Sequence, residues 1–325
     1  MKILMSGSGS GGHIYPCIAT YNYLKDKYEI IVVIFKEIDK KIYDLNNIKY
    51  IYIDNNLSTF NKFKQLNNIY KDNKIDITLT YGGKNSIFIN MIARINKSKI
   101  YLFEQNAIIG KANKFNYIFC NKIFSNFKIN YKKEVNLGNP NAFKIKTNKI
   151  KLFNNHKITI LITLGSLGSI SVNKVMKSFI ETNNDFNIIY VTGNNVNLNI
   201  KNTNNVKIFN YYNPLTDLIN IADIVISRAG ASTLSEIIEL NKPSIIIPSP
   251  YVANDHQNKN CDVLVKNNCC IKILEKDLNC SILRKKVYYL AQNETLYNNI
   301  KNNLKKMQKG NNFNVFHQEI INDNS

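Results

Sequence analysis

A chain of 325 residues with 44% hydrophobic content is long enough for two α/β domains, each with a core of its own. Its longest apolar runs, such as Ile30 to Phe35 and Ile245 to Ile247, fall far short of the ~20 residues that span a bilayer. The net charge of +20, from 43 Lys and Arg against 23 Asp and Glu, attracts polyanions. The lysines are spread through an Asn- and Ile-rich composition, however, with no Arg-rich arm, zinc-finger spacing or RNP-like aromatic motif, which argues against specific nucleic-acid recognition.

The N-terminus runs straight into a strand, residues 2–6, with no signal-peptide pattern, so a cytosolic chain is expected. The strand leads into MSGSGSGGHIYP (5–16) and then a helix. Gly7, Gly9 and Gly12 fit G-x-G-x-x-G, and N–H groups at a helix N-terminus favour an anion. His13 occupies the place of the Walker A lysine, which excludes that loop. A dinucleotide site stays open at this point, with Glu37 or Asp39 following the second strand. The helix dipole favours a neutral, base-competent His13, although a local hydrogen bond would account for the residue equally well.

Further strands are expected at 29–35, 49–53, 77–81, 99–103 and 122–125. Between them, residues 57–71 place Leu57, Phe60, Phe63, Leu66 and Tyr70 near one helical face beside Lys62, Lys64 and Lys71. That pattern suits a helix lying on anionic lipid or one packed on the sheet. Residues 137–156 are polar and Lys/Asn-rich, as a linker would be. The plan then restarts: KITILITLGSLGSISVN (157–173) repeats strand, Gly/Ser loop and helix. Strands follow at 186–192, 206–211, 223–227, 243–248 and 270–274.

Continuous rather than alternating hydrophobicity implies parallel strands covered on both faces. The expected class is therefore α/β, with two Rossmann-like doubly wound domains facing each other across a cleft. The boundaries are read as 1–148, 149–305, and a helical tail at 306–325 that breaks near Gly310 and packs back on the first domain. The six cysteines include no C-x-x-C pair, and they read as small buried hydrophobes rather than a metal site or a disulfide framework.

SRAGASTLSEII (227–238) closes a strand and opens a helix. Gly230 allows a tight turn, Ser232 and Thr233 offer hydroxyls and N–H groups to a diphosphate, and Glu236 stands one turn further in, able to accept both hydroxyls of a ribose. Thr233 and Glu236 also satisfy the S/T-x-x-E capping box, which needs no ligand; the two readings are compatible. No D-x-D pair stands beside a strand end, so metal-dependent sugar transfer is disfavoured.

GSGSGGHIYP, FEQNAIIG, GNP, LGS, SRAGASTLSEI and IPSPYVANDHQNKN occur in the order seen in the MurG family, the GT-B enzymes of glycosyltransferase family 28. From residue 1 to about residue 275 the chain resembles that family. The resemblance implies a hexosyltransferase that moves N-acetylglucosamine from UDP-GlcNAc to the C4 hydroxyl of the muramyl sugar of an undecaprenyl-diphosphate-linked pentapeptide, in peptidoglycan synthesis. Transfer would be inverting, metal-independent and free of cofactors. The resemblance also implies a peripheral place on the cytoplasmic face of an anionic membrane, with other cell-wall synthesis proteins as partners.

His13 matches the family's catalytic histidine, and Ser10, Gly11 and Gly12 its loop near the donor phosphates. Asn106 matches a donor-contacting asparagine and Ser166 a diphosphate-binding serine. Tyr212 falls where the backbone holds the uracil. Ala231, Ser232, Thr233, Leu234, Ser235 and Glu236 match the donor-binding helix start, with Glu236 on the ribose, and Gln257 matches a glutamine that reaches the sugar. Glu104, Gln105 and Lys84 fall on the acceptor side.

The chain departs from the pattern at four places. Phe103 replaces a histidine, Ala142 an arginine and Leu167 a glutamine, while GGKNS (82–86) replaces GGYVS and introduces Lys84. Other readings are a GT-B lipid glycosyltransferase with another acceptor such as diacylglycerol, a UDP-GlcNAc 2-epimerase, or a basic nucleic-acid-binding protein. An epimerase would need further acid/base carboxylates, of which no obvious pair is seen. A nicotinamide oxidoreductase would leave the second glycine loop and SRAGASTLSE without a role.

Overall fold

Short runs rich in Ile, Val and Leu become strands wherever a Gly/Ser/Asn-rich loop ends them. A computed structural model describes residues 1–165, 170–193 and 200–322, and Ser166 and Leu167 lie outside these. The chain divides into two units, one of Met1–Lys144 with the segment from Asn311 onward, the other of Ile145–Gly310.

The first unit contains β1 (Lys2–Ser6), α1 (Gly11–Leu24), β2 (Glu29–Ile34), α2 (Glu37–Leu45), β3 (Ile51–Tyr52) and α3 (Thr59–Asn73). There follow β4 (Ile77–Thr80), α4 (Asn85–Ile95), β5 (Lys99–Glu104), α5 (Lys111–Asn116), β6 (Lys122–Ser125) and β7 (Glu134–Asn136). All seven strands run parallel in the order β3-β2-β1-β4-β5-β6-β7. The pleat sends Ile3 and Met5 into a core under α1 and α2, and Leu4 into a second core under α3 and α4. The order reverses between β1 and β4, and the loops leaving their carboxyl ends are SGSGGH and GGKNS, where doubly wound sheets bind ligands.

The second unit repeats the plan with β8 (Thr159–Thr163), α6 (Ile170–Glu181), β9 (Asn187–Val191), β10 (Val206–Phe209), α7 (Leu215–Ile221) and β11 (Ile224–Ser227). It continues with α8 (Ala231–Glu239), β12 (Ser244–Ile246), α9 (His256–Lys266), β13 (Ile271–Lys272), α10 (Cys280–Gln292) and α11 (Glu294–Met307). Its six parallel strands lie in the order β10-β9-β8-β11-β12-β13, so the reversal falls between β8 and β11, the strands that lead into LGSLGS and SRAGAS.

The last helix, α12 (Phe313–Asn322), belongs to the first unit. Phe313 stacks on Tyr23 with ring centroids 4.4 Å apart, Phe316 meets Phe124 edge-on at 4.8 Å, and Glu319 pairs with Lys122 at 2.9 Å.

Each of the twelve expected strand windows contains a strand. The structure adds β7, a three-residue edge strand whose single apolar residue, Val135, gave no pattern to read. The stretch from Leu137 to Phe143, expected to be linker, is packed instead: Leu137, Ala142 and Phe143 are buried, and Phe143 meets Phe313 edge-on at 5.0 Å. Three apolar side chains in a polar stretch were enough to hold it down. Among the described residues no helix is long and apolar enough to cross a membrane.

Gly7 shows what the first loop demands. A Cβ there would stand 2.4 Å from the His13 carbonyl oxygen and 2.5 Å from Cys17 Cβ, so the strand can approach α1 only without a side chain. Gly7→Ala is expected to cost about 1–3 kcal/mol of stability in urea unfolding; an unchanged midpoint would show that the approach is looser than described.

Candidate active site

In the first unit the loop after β1 is held from inside. Ser8 Oγ donates to Asp39, the Gly9 N–H donates to Asp39 Oδ2 at 3.0 Å, and the Tyr43 hydroxyl donates to the Gly7 carbonyl at 2.6 Å. Asp39 is buried and spent on these bonds, while Glu37 pairs with Lys40 at 2.8 Å. The acidic residue that a nicotinamide site needs for its ribose is therefore committed elsewhere.

Helix α1 starts without a side-chain cap. Its first backbone bonds run from the N–H groups of His13 and Ile14 to the Ser10 carbonyl, at 2.9 and 3.0 Å. The N–H groups of Gly11 and Gly12 precede the helical ladder, where they can serve an anion.

The His13 ring has Nδ1 3.3 Å from the Ser8 carbonyl oxygen. Donation to that carbonyl puts the proton on Nδ1 and the lone pair on Nε2. Gly82 and Gly83 form the shelf beside the ring. Their φ values are +92° and +85°, and a Cβ on Gly82 would lie 3.2 Å from His13 Nε2. Both the backbone conformation and the close approach require glycine there. Lys84 follows, exposed, and no carboxylate among the described residues pairs with it.

Glu104 and Gln105, expected on the acceptor side, are turned into the first unit. Both are 2% exposed. Glu104 accepts from the Asn106 N–H at 3.1 Å, the Gly110 N–H at 2.8 Å and Asn113 Nδ2 at 2.9 Å. Gln105 donates from Nε2 to the Tyr81 carbonyl at 3.2 Å. They shape the loop that presents Asn106, whose side chain also donates to Glu104 at 3.3 Å. Phe103 is wholly buried, stacked on Tyr81 at 5.5 Å, so this departure changes core packing rather than the site. Ala142 is buried as well.

In the second unit α8 begins at Ala231 behind Gly230, an N-cap without a side-chain hydrogen bond. The first helical bond runs from the Leu234 N–H to the Gly230 carbonyl at 2.9 Å, which leaves the N–H groups of Ala231, Ser232 and Thr233 ahead of the ladder. The capping box allowed by the sequence does not form, because the N-cap is Gly230 and Thr233 lies inside the helix. Ser232 Oγ is buried with no partner among the described residues.

Leu234 is fully buried, and Ser235 Oγ donates back to the Ala231 carbonyl at 2.8 Å. These two residues build the helix rather than offer side chains to a donor. Gln257 Oε1 accepts from the Ala229 N–H at 3.3 Å and the Ser249 N–H at 2.9 Å, which fixes its amide with Nε2 as the remaining donor. Asn260 Nδ2 donates to the Ala229 carbonyl at 3.1 Å.

Models of the glycosyltransferase family 28 N-terminal and C-terminal domains match residues 3–125 and 159–319. The UDP-N-acetylglucosamine–N-acetylmuramyl-(pentapeptide) pyrophosphoryl-undecaprenol N-acetylglucosamine transferase of Caldicellulosiruptor saccharolyticus is 35% identical over 349 residues, covering 95% of this chain and 94% of that protein. The chain belongs to glycosyltransferase family 28.

The protein of the same name from Natranaerobius thermophilus is 32% identical over 322 residues, covering 86% of this chain and 88% of its own length. The crystal structure of MurG from Acinetobacter baumannii has a TM-score of 0.80 at 18% identity, covering 97% of each chain. These likenesses and the two parallel sheets give this family-28 glycosyltransferase the GT-B fold.

Two further positions that the resemblance places at the donor are described. Tyr212 follows β10, half-buried, with its ring edge-on to Phe209 at 5.2 Å. Glu236 is half-buried one turn into α8, and loss of hydration alone pushes its carboxyl from 4.5 up to about 7. Sequence reasoning missed Asn113, whose support role left no motif, and gave no role to Asn260, the last residue of IPSPYVANDHQNKN. It named Phe60 on α3, which is exposed, but missed the exposed apolar side chains on the helices beside it, Met91 and Ile95 on α4, Phe115 on α5 and Ile118 just beyond; α3 packs on α4 and α4 on α5.

The Glu236 shift sets a stability test. The folded state favours the protonated carboxyl, so its cost is absent below pH 4.5, grows between pH 4.5 and 7, and is complete above 7. At full ionisation the shift corresponds to roughly 3 kcal/mol. Glu236→Gln is therefore expected to raise the melting temperature of the ligand-free protein at pH 8 and to leave it unchanged at pH 4. Equal melting temperatures for variant and parent at pH 8 would refute the desolvated carboxylate.

Proposed function

We propose that this glycosyltransferase moves N-acetylglucosamine from UDP-GlcNAc to the C4 hydroxyl of the muramyl sugar of an undecaprenyl-diphosphate-linked pentapeptide. The observation that carries the reading is the start of α8: three N–H groups ahead of the ladder and, among the described residues, a Ser232 hydroxyl without a partner and a desolvated Glu236 without counter-charge. Donors for a diphosphate thus stand one helical turn from acceptors for a ribose, the spacing found within one nucleoside diphosphate. The names borne by the relatives agree.

The chemistry assigned to these groups is a direct displacement. The acceptor oxygen bonds to the anomeric carbon as the bond from that carbon to the UDP oxygen breaks, and its proton passes to His13 Nε2. Charge appearing on UDP is met by the N–H groups of Ala231, Ser232 and Thr233 and by the hydroxyls of Ser232 and Thr233. Ser10, Gly11, Gly12 and Ser166 would add donors at the phosphates. Asn106 and Gln257 Nε2 would meet the sugar, and the backbone at Tyr212 the uracil. Attack from the far side inverts the anomeric centre. Lys84 would stand on the acceptor side.

A lipid-linked acceptor requires contact with a membrane surface. The exposed face of Phe60, Met91, Ile95, Phe115 and Ile118, with Lys62, Lys64, Lys111 and Lys114 on or beside the same helices, suits peripheral attachment to anionic lipid. This face would lie on the cytoplasmic leaflet.

A transfer assay with UDP-GlcNAc, offering the muramyl-pentapeptide lipid and diacylglycerol in parallel, is expected to give product with the first acceptor alone. Product from diacylglycerol alone would overturn the acceptor. His13→Ala should lower kcat by about 10²–10⁴-fold while sparing UDP affinity, and parental kcat would remove His13 as the base. Flotation with anionic vesicles should fall as salt rises and drop again in Ile95→Ser/Ile118→Ser. Binding that ignores both would place the membrane contact elsewhere.

A further inference from the structure

The loop Arg228–Ala229–Gly230 sets where α8 begins, and so where its N–H groups point. Gln257 and Asn260 hold its middle residue. Its first residue is held from another side by a carboxylate that no motif announced. We propose that Glu275 is a positioning residue for the donor, tying the loop after β11 to the start of α6.

Arg228 and Glu275 form an ion pair with Arg228 Nη1 2.8 Å from Glu275 Oε2, and their side chains are only 9% and 8% exposed. The same Nη1 donates to the Ile247 carbonyl, just past β12, at 3.1 Å. The other oxygen of Glu275 accepts from Ser171 Oγ at 2.8 Å. Ser171 is the second residue of α6, the helix that follows the Gly/Ser loop after β8. Glu275 itself opens a short 3-10 turn, Glu275–Asp277, after β13. One carboxylate therefore connects segments leaving four strands that are neighbours in the sheet, β8, β11, β12 and β13. The loop after β11 and the start of α6 are both attached to it.

The charge of Glu275 matters as much as its reach. An arginine beside a diphosphate site would ordinarily turn to the ligand, because a guanidinium matches phosphate oxygens in two-point geometry. Paired in the interior, Arg228 is neutralised and acts as a strut, and the diphosphate is left to the helix N–H groups. Removing the negative charge strands a desolvated guanidinium with no counter-ion. Its release would let Arg228 and Ala229 shift and fray the first turn of α8, so that its N–H groups lose their place relative to Glu236 in the next turn. Donor binding needs both at once.

This inference rests on the donor assignment above, and its test is kinetic. With acceptor saturating and UDP-GlcNAc varied, Glu275→Gln is expected to raise the donor KM by about tenfold or more, with kcat and the acceptor KM at parental values. Glu275→Asp keeps the charge and should recover most of the loss. Ser171→Ala removes one strand of the tie and should raise the donor KM by about threefold.

A parental donor KM in Glu275→Gln overturns the proposal. So does an equal fall of kcat in Glu275→Gln and Glu275→Asp, which would mark a packing role alone. If Glu275→Gln does not fold, Ser171→Ala decides, and a donor KM unmoved there overturns the tie. Absence of any transfer by the parental enzyme would count against the donor reading instead, so the two failures are told apart.

Discussion

A parallel strand that ends in a glycine turn and runs into a helix leaves N–H groups with no partner inside the chain. In most helices a Ser, Thr, Asp or Asn side chain closes that gap. In this protein the gap after β11 stays open, because Gly230 occupies the N-cap and has no side chain to offer. The surrounding groups preserve the opening rather than fill it. Gln257 and Asn260 take the polar groups of Ala229, Ser235 turns its hydroxyl back into the helix, and Leu234 anchors the first turn in the core. Glu236 is poorly hydrated and, among the described residues, without an ion-pair partner. A site that lowers its own stability when empty is the usual companion of a ligand that restores it.

The first unit follows the same plan to a different end. Its loop after β1 is also glycine-rich and its helix also lacks a side-chain cap, but the third helical position carries an imidazole. Buried carboxylates brace the scaffold. Asp39 organises Ser8 and Gly9, and Glu104 organises Asn106, Gly110 and Asn113. Each satisfies backbone N–H groups that would otherwise be left unmade at a cost. The imidazole is seated against backbone, with the Ser8 carbonyl at Nδ1 and the Gly82–Gly83 shelf beside the ring.

Much of this organisation is legible in the sequence because parallel strands buried on both faces give unbroken apolar runs, and because glycine at a strand end is a backbone requirement. The restart at Lys157 announces the second sheet in the same way. Short elements with little side-chain content, such as β7, leave no such mark. Leu137 and Phe143 escaped because polar neighbours diluted them. Thr233 and Glu236 looked like a capping box because the pattern does not reveal which residue is the N-cap, and one step of register decides it. Glu104 and Gln105 matched a family motif and Phe103 departed from it, yet where such side chains point depends on strand alternation and on partners far along the chain. Glu275 could not be found at all, since its partners lie 47 and 104 residues away.

The central claim is that the opening of α8 and the carboxylate of Glu236 together recognise a nucleoside diphosphate. Calorimetric titration of the protein with UDP at pH 7, in buffers of different ionisation enthalpy, tests it directly. A carboxyl half-protonated when empty and ionised when it accepts the ribose hydroxyls must release about half a proton per UDP bound, and Glu236→Gln must lower the proton release by that amount. Binding of UDP with no proton released by the parental protein would contradict the account.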